Sequence, residues 1–416
     1  MTSKVESVVT DKVKFIWNML GSLASSFSSL FYSIIVNRFL GSADGGLFAF
    51  AFSNAQLMYT IGSFEVRPFQ STDIAEKYTF DTYFWLRIFS CMLMALCSIG
   101  YVIINPFSYK KSVVILCLCG YRIMDAIADF AGGRFQQKDR IDLSGKTYFI
   151  RIIFCTVVFT TVMVISRELI LSSICLFMAS VVVLFFNEWH YCFYEDRHKM
   201  SFEIHNILNL LKEVMPLFIG AFIMMYISNA PKYAINGLYN DEIQNVYNIL
   251  FMPAFVINLF STFIFRPLLV KMAVINEKKD YKGFFKIFAK MYLVIMGITI
   301  AAMLGSWLCG IPILSVVYGV DLTMYRNQLV MVMICGGISA LMTFSYYSVT
   351  VIRKQKWLLT GYLLAFIFAV FITRPMVRKW AINGAIMSYG LSIGIIVILF
   401  TSMVLLYVYK GKKRNE

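Results

Sequence analysis

Arg122, Asp125 and Asp129 stand at positions i, i+3 and i+7 of one apolar run. At 100° per residue they fall within about 60° of one another on a helix. A charge at the bilayer centre costs about 2.5–3.5 kcal/mol on insertion scales, so such residues face a bundle interior or a wet cavity. Two readings stay open: a stretch of a substrate or proton pathway, or a pair of Arg122 with Asp125 that locks helices together. Lys232 is the second intramembrane cation. It follows Pro231 in Ser228-Asn229-Ala230-Pro231-Lys232-Tyr233. The donor missing at Pro231 predicts a broken or kinked helix, of the kind that lines transport sites. The alternative is a lysine snorkelling to the outer interface.

Two polar clusters between apolar runs mix arginine, amide and carboxylate. One is Glu65-Val66-Arg67-Pro68-Phe69-Gln70-Ser71-Thr72-Asp73; the other runs from Gly133, Arg134 and Gln136 through Arg140 and Asp142 to Ser144. Arg67 and Arg134 are placed to meet an anionic lipid headgroup as it enters. Ordinary positive-inside loop chemistry explains lysines in such loops, but the Arg/Gln/Asp mixture less well.

Catalytic groupings are not found, and the chain does not read as an enzyme. His190, His198 and His205 lack a carboxylate frame at metal spacing, so no metal site is expected. There is no Walker loop, nucleophile elbow or dinucleotide fingerprint. Without a nucleotide site the chain needs no cofactor, and its energy comes from an H+ or Na+ gradient or from substrate flow. Nine cysteines, an odd number scattered over apolar runs, argue against a disulfide framework or a zinc site.

The elements that must position these residues are membrane helices. Of 416 residues, 59% are apolar and 15% charged, against about 45–50% and about 25% in soluble domains. Mean hydropathy is +0.71. A water-soluble enzyme is excluded, and unbroken apolar runs exclude a barrel, whose strands alternate. Twelve spans are read at roughly 15–37, 45–65, 84–104, 112–131, 148–166, 169–189, 214–235, 246–265, 286–309, 327–350, 357–373 and 383–408. At roughly 20 residues each they use about 240 residues, which leaves no room for a folded domain outside the membrane.

Net charge is +15, which the membrane explains without nucleic acid. With the N-terminus in the cytoplasm, 28 Lys and Arg lie in inner segments and 8 in outer loops, so both termini are expected inside. No removable signal peptide is evident at the start. The longest polar connection, near 190–213, divides the chain into six-helix halves, 1–200 and 201–416, a layout usual in transporters. Phe202, Ile204, Ile207, Leu208, Leu211 and Met215 recur at helical spacing. That segment is either a surface amphipathic helix or an inward extension of the seventh span.

These residues carry a resemblance that spans the whole chain. Val66-Arg67-Pro68-Phe69-Gln70-Ser71-Thr72-Asp73, Tyr121-Arg122-Ile123-Met124-Asp125 running on to Phe135-Gln136, and Ala230-Pro231-Lys232-Tyr233-Ala234-Ile235 are its first pieces. Gln244, Tyr247-Asn248-Ile249-Leu250-Phe251-Met252-Pro253 and Arg266-Pro267 complete it. In this order the chain resembles the bacterial oligosaccharide flippases, the Wzx-type polysaccharide translocases of the MATE-like MOP exporter superfamily. The resemblance implies an all-α protein of two six-helix bundles around a central cavity, alternating in access, in the bacterial plasma membrane. The implied substrate is an undecaprenyl-diphosphate-linked oligosaccharide, moved from the cytoplasmic to the outer leaflet for cell-surface polysaccharide biosynthesis. Arg122 and Lys232 would attract its diphosphate and sugar acids, as Arg67 and Arg134 would at entry. Asp125, and with it Asp129, would serve ion or proton coupling. Membrane lipid and the polymerase and glycosyltransferases of the same pathway are the implied partners.

A drug or metabolite exporter of the same superfamily is the main alternative. Two aspartates suit its cationic substrates, but two cations accompany them. A major-facilitator signature is missing at 66–83, and short outer loops leave little room for a polymerase or glycosyltransferase site.

Overall fold

The computed structural model describes residues 11–73, 76–189, 201–352 and 356–415. Helices make up nearly all of it, and no strand occurs among the described residues. They are α1 (Asp11–Leu40), α2 (Ser42–Ser63), α3 (Val66–Thr72), α4 (Phe80–Ile104), α5 (Tyr109–Gln137), α6 (Ile141–Ser166), α7 (Leu169–Val183), α8 (Ile204–Asn236), α9 (Asp241–Glu277), α10 (Tyr281–Gly305), α11 (Ile311–Tyr318), α12 (Arg326–Val351) and α13 (Lys356–Asn415). Two π-turns, Leu184–Trp189 and Ser306–Gly310, follow α7 and α10.

Local chemistry sets many of the boundaries. Thr79, Ser108, Asn240 and Asp280 each accept a backbone N–H of the helix they precede, which supplies one of the partners a helix start lacks. Gly41 and Gly319, both with positive φ, end α1 and α11, where a side chain would be strained. Within the apolar runs, buried hydroxyls return to the carbonyl one turn back, as Ser98 does to Met94, Ser172 to Glu168, and Ser173 to Leu169. Hydrocarbon offers them no other partner.

The twelve stretches read as spans lie in helix apart from Phe64 and Glu65, which form the turn after α2. Eight helical stretches among the described residues are long and apolar enough to cross a membrane. The 29-residue α5 is not one of them, because Arg122, Asp125 and Asp129 interrupt it. The last two expected spans are continuous in α13 apart from Trp380 and Ala381, whose backbone is not helical. Helix α8 has two lessons. It runs unbroken from Ile204 to Asn236, so the break expected at Pro231 is absent. Pro231 sits in the last two turns, and Ser228 and Asn229 donate their side chains to the carbonyls of Met224 and Met225 just before it. The segment from Ile204 is therefore an inward extension of this helix. Its Ile207, Leu210 and Val214 are buried against Phe64, Val66, Phe80 and Phe130.

The chain divides into two compact units. One comprises Met1–Leu40 with Ala51–Phe222, the other Gly41–Phe50 with Ile223–Glu416. In the first, α5 is the central helix, packed on α3, α4, α6 and α7, while α1 lies along α6. In the second, α12 is central, packed on α9, α10 and α13. The α1–α6 crossing depends on glycine. A Cβ on Gly145 would stand 2.4 Å from the backbone of Trp17, and one on Gly21 would stand 2.8 Å from the Gly145 carbonyl.

Gly145→Ala is therefore expected to pry α1 from α6. Overpacking of this kind costs about 1–3 kcal/mol. A lowered thermal unfolding midpoint of the detergent-purified variant checks it; an unchanged midpoint contradicts this account of the crossing.

Candidate functional site

The first unit contains a ladder of arginines and aspartates built on α5. Asp125 accepts Arg122 Nη1 at 2.8 Å on one oxygen and Arg151 Nη2 at 2.7 Å on the other. One turn on, Asp129 accepts Arg67 Nη1 at 2.8 Å and, more loosely, Arg87 Nη2 at 3.4 Å. Each carboxylate is thus held between two guanidiniums, one brought by α5 or α3 and one by α6 or α4. Arg87 also donates to the Gly62 carbonyl at 2.7 Å, and Arg67 to Ser144 Oγ at 3.1 Å. Arg151 faces Glu188 at 3.7 Å.

Exposure separates the four arginines into two kinds. The side chains of Arg87 and Arg151 are 1% and 0% exposed, so they act as internal clamps. Those of Arg122 and Arg67 are 14% and 32% exposed, so these two side chains are less fully covered. Arg122 lies over Phe52 at 4.8 Å and beside Tyr121 at 5.4 Å and Tyr59 at 5.8 Å. The aromatic faces hold a guanidinium and leave its donors available.

The cluster around Arg67 owes its shape to backbone. Phe64 and Glu65 both have positive φ, 46° and 52°, an uncommon conformation for residues with side chains. This turn redirects the chain from α2 into α3. The Phe64 ring stacks on Phe218 at 4.0 Å, which holds the turn. Arg67 then lies against Gly132, where a Cβ would meet its Cζ at 3.3 Å, and Gln70 against Gly133, where a Cβ would meet Oε1 at 2.4 Å. Gln70 is fully buried, yet neither atom of its amide finds a partner among the described residues. Buried polar groups are rarely left so.

The other residues singled out in the sequence are placed as follows. Arg134, in the last turn of α5, donates to Glu76 at 2.7 Å and to Gln137 at 2.8 Å. Arg140 pairs with Asp142. Lys232 belongs to the second unit and lies partly buried on α8 between Tyr226 and Tyr233 in sequence, whose rings are 6.0 Å apart. His190, His198 and Cys192 lie outside the described residues. The eight described cysteines are free thiols, and no metal-ligating group of three occurs among the described residues. Arg87, Arg151 and Glu188, which the sequence did not single out, are buried partners of the ladder.

A strap closes the α3–α4 connection. Asp73 accepts from the backbone N–H of Lys77 and Tyr78 and from the Tyr83 hydroxyl, while Lys77 and Tyr78 both donate to Glu213 on α8. Partial burial alone would raise the Asp73 carboxyl. The two N–H groups, the Tyr83 hydroxyl and the Lys77 charge outweigh it and hold the group below its ordinary 3.8.

Similarity to known proteins is consistent across the chain. A family model described as "Polysaccharide biosynthesis protein" matches residues 12–273. No curated protein matches. An inward-facing multidrug resistance MATE family transporter of the MOP superfamily aligns over 97% of this chain and 99% of its own, with TM-score 0.62 and 9% identity. A Vibrio cholerae MATE transporter in its bent form aligns over 96% and 97%, with TM-score 0.58 and 12% identity. A MOP superfamily transporter from Pyrococcus furiosus, described as having a binding pocket of reverse polarity, aligns over 95% of each chain, with TM-score 0.53 and 10% identity.

Two predictions follow from the ladder and the strap. Arg87→Gln or Arg151→Gln removes a fully buried partner from a buried carboxylate, a loss of about 3–5 kcal/mol, whereas Arg67→Gln, at a side chain about a third exposed, should cost clearly less because water can replace part of the lost contact. Unfolding midpoints in detergent compare them, and equal losses would erase the distinction between clamp and open arginines. A carboxyl lowered on folding stabilises above its unfolded value and loses that contribution as pH falls through its folded value. With Trp85 kept as the sole tryptophan, acid titration of its emission should show a step below about pH 4 that is absent in Asp73→Asn.

Proposed function

Because this chain belongs to the polysaccharide biosynthesis protein family and has the fold of MATE transporters, we propose that it is a flippase for an anionic lipid-linked saccharide. It is a multi-pass membrane protein. In our reading its substrate is an undecaprenyl-diphosphate-linked oligosaccharide, which it carries by alternating access from the cytoplasmic to the outer leaflet of a bacterial plasma membrane.

The observation that carries this reading is the state of the two intramembrane aspartates. Each is already bridged by two guanidiniums. A cationic drug would have to displace an arginine to reach either one. A diphosphate has only to approach the open edges of Arg67 and Arg122, where bidentate, charge-assisted bonds are available. Lys232 supplies a further cation in the second unit, and Arg134 one at the end of α5. The reverse polarity described for the pocket of the Pyrococcus furiosus transporter has a parallel in this preference.

The same ladder gives a route for coupling. Protonation of Asp125 or Asp129, or its occupation by Na+, would weaken its hold on Arg122 or Arg67 and alter how the guanidinium meets phosphate. An H+ or Na+ gradient would then act through the aspartates on the arginines.

The test uses purified protein in liposomes loaded with a labelled undecaprenyl-diphosphate oligosaccharide. Accessibility to an external glycosidase is followed with and without a pH or sodium gradient. Protein-dependent exchange is expected, and it should fall about tenfold or more in Arg67→Gln, Arg122→Gln and Lys232→Gln, in line with the loss of a hydrogen bond to a charged group. Unchanged exchange in all three would remove the proposed cation sites. No exchange by the wild type, with export of small cationic dyes instead, would make the protein a drug exporter.

A further inference from the structure

The second unit contains a cleft that the flippase reading does not use. It has a volume of about 590 Å³ and is walled by Pro253 and Ile257 of α9, Ile298 and Ala302 of α10, and Leu329 and Met333 of α12. Its size falls within the usual range for a bound small molecule, about 300–1,000 Å³. The π-turn Ser306–Gly310 borders it. There α10 passes into α11 with an expanded turn, and Gly305, Ser306 and Gly310 border the space without filling it. The Ser306 hydroxyl donates to the Met303 carbonyl at 2.9 Å, so it does not call for water. Single π-turns of this kind are often found at functional sites.

The surroundings say what enters. Leu304, Leu308, Ile313 and Val316 beside the cleft are all exposed. In a multi-pass membrane protein an exposed aliphatic face on such a helix meets hydrocarbon. Left empty, the cleft would forfeit the dispersion contacts of its walls; filled with water, it would offer that water no partners. A hydrocarbon chain solves both problems.

One end of the cleft carries a different chemistry. Trp307 follows Ser306 directly, and Arg326 precedes Leu329 by one helical turn. The Arg326 guanidinium stands 5.6 Å from the centre of the Trp307 ring. Tryptophan favours the headgroup level of a membrane, and arginine bonds phosphate through paired N–H groups. The nearest acidic residue in sequence, Asp321, is bonded to the backbone and hydroxyl of Thr323. No ion pair ties up Arg326 among the described residues. An apolar cleft with an aromatic-backed guanidinium at its rim has the pattern of a lipid with a negatively charged head.

We propose that this cleft is a resident site for one acyl chain of an anionic phospholipid, whose phosphate is held by Arg326 beside Trp307. The occupant is a membrane lipid and not the transported carrier. It fills the space bordered by the π-turn and braces α10 and α11 against α12.

The test is photolabelling of the wild-type protein in phosphatidylcholine nanodiscs. These are doped with phosphatidylglycerol bearing a diazirine in its acyl chain, and the labelled peptides are mapped by mass spectrometry. Label should concentrate in residues 298–314 and 329–333. It should exceed that from the same diazirine on phosphatidylcholine by about fivefold, the usual effect of one basic residue near a lipid surface. Arg326→Gln should abolish that preference. Ala302→Phe should reduce cleft labelling to the level of the lipid-facing side of α4. If label spreads evenly over all lipid-facing helices, or the two headgroups label the cleft equally, the proposal is overturned. Displacement of the label by an equimolar amount of undecaprenyl phosphate would also overturn it, by giving the cleft to the carrier lipid. The wild-type map decides between these outcomes even if a variant fails to fold.

Discussion

Charge inside a membrane must be paid for within the protein, and the first unit is organised around that constraint. Asp125 and Asp129 would each be prohibitively costly alone on α5. With two guanidiniums apiece, one from the same helix or from α3 and one from a packed neighbour, they become the ties that hold α3, α4, α5 and α6 in register. Removing a partner from such a buried pair costs far more than the pair itself contributes. The arrangement therefore specifies one packing more than it adds stability.

The same pairs divide labour among the arginines. Arg87 and Arg151 direct donors inside the unit, each to a carboxylate and, for Arg87, also to the Gly62 carbonyl. Arg67 and Arg122 are held by the same carboxylates but keep an open edge. A guanidinium that is pre-positioned by an aspartate, an aromatic face or a serine hydroxyl loses little conformational freedom when it meets a further acceptor. The buried and the partly exposed arginines are two uses of one interaction, and the difference between them is how much of each side chain the neighbouring helices cover.

Glycine sets how closely those neighbours come. Gly132 and Gly133 let Arg67 and Gln70 lie against α5, and Gly21 with Gly145 let α1 and α6 cross with their backbones nearly touching. Without a hydrophobic effect between helices in lipid, such close approach is a principal source of packing energy. The strained turn at Phe64 and Glu65 belongs to the same design, because it aims α3 at this glycine surface. In the second unit a π-turn lies beside a cleft, with Gly310 set directly against Leu329 of α12.

The sequence by itself determined that the chain is helical and membrane-embedded, and where its helices run. Apolar run length and helical spacing are local properties, and the bilayer allows few other solutions. It also determined that Arg122, Asp125 and Asp129 share a face, since that follows from 3.6 residues per turn alone. Of the two readings of the trio, the Arg122–Asp125 pair is present, as one half of a larger ladder. Tertiary structure decided the rest. Arg87, Arg151 and Glu188 are not marked out by spacing, and packing brings them against α5 or one another. Gln70 matched a family pattern, but only its burial against Gly133 shows an amide without a partner. Pro231 signalled a break that the structure does not contain, because the cost of one lost backbone bond near a helix end depends on the partners its neighbours find. Spacing along a chain encodes which residues share a helix face; which face meets which is settled by packing between segments far apart in sequence.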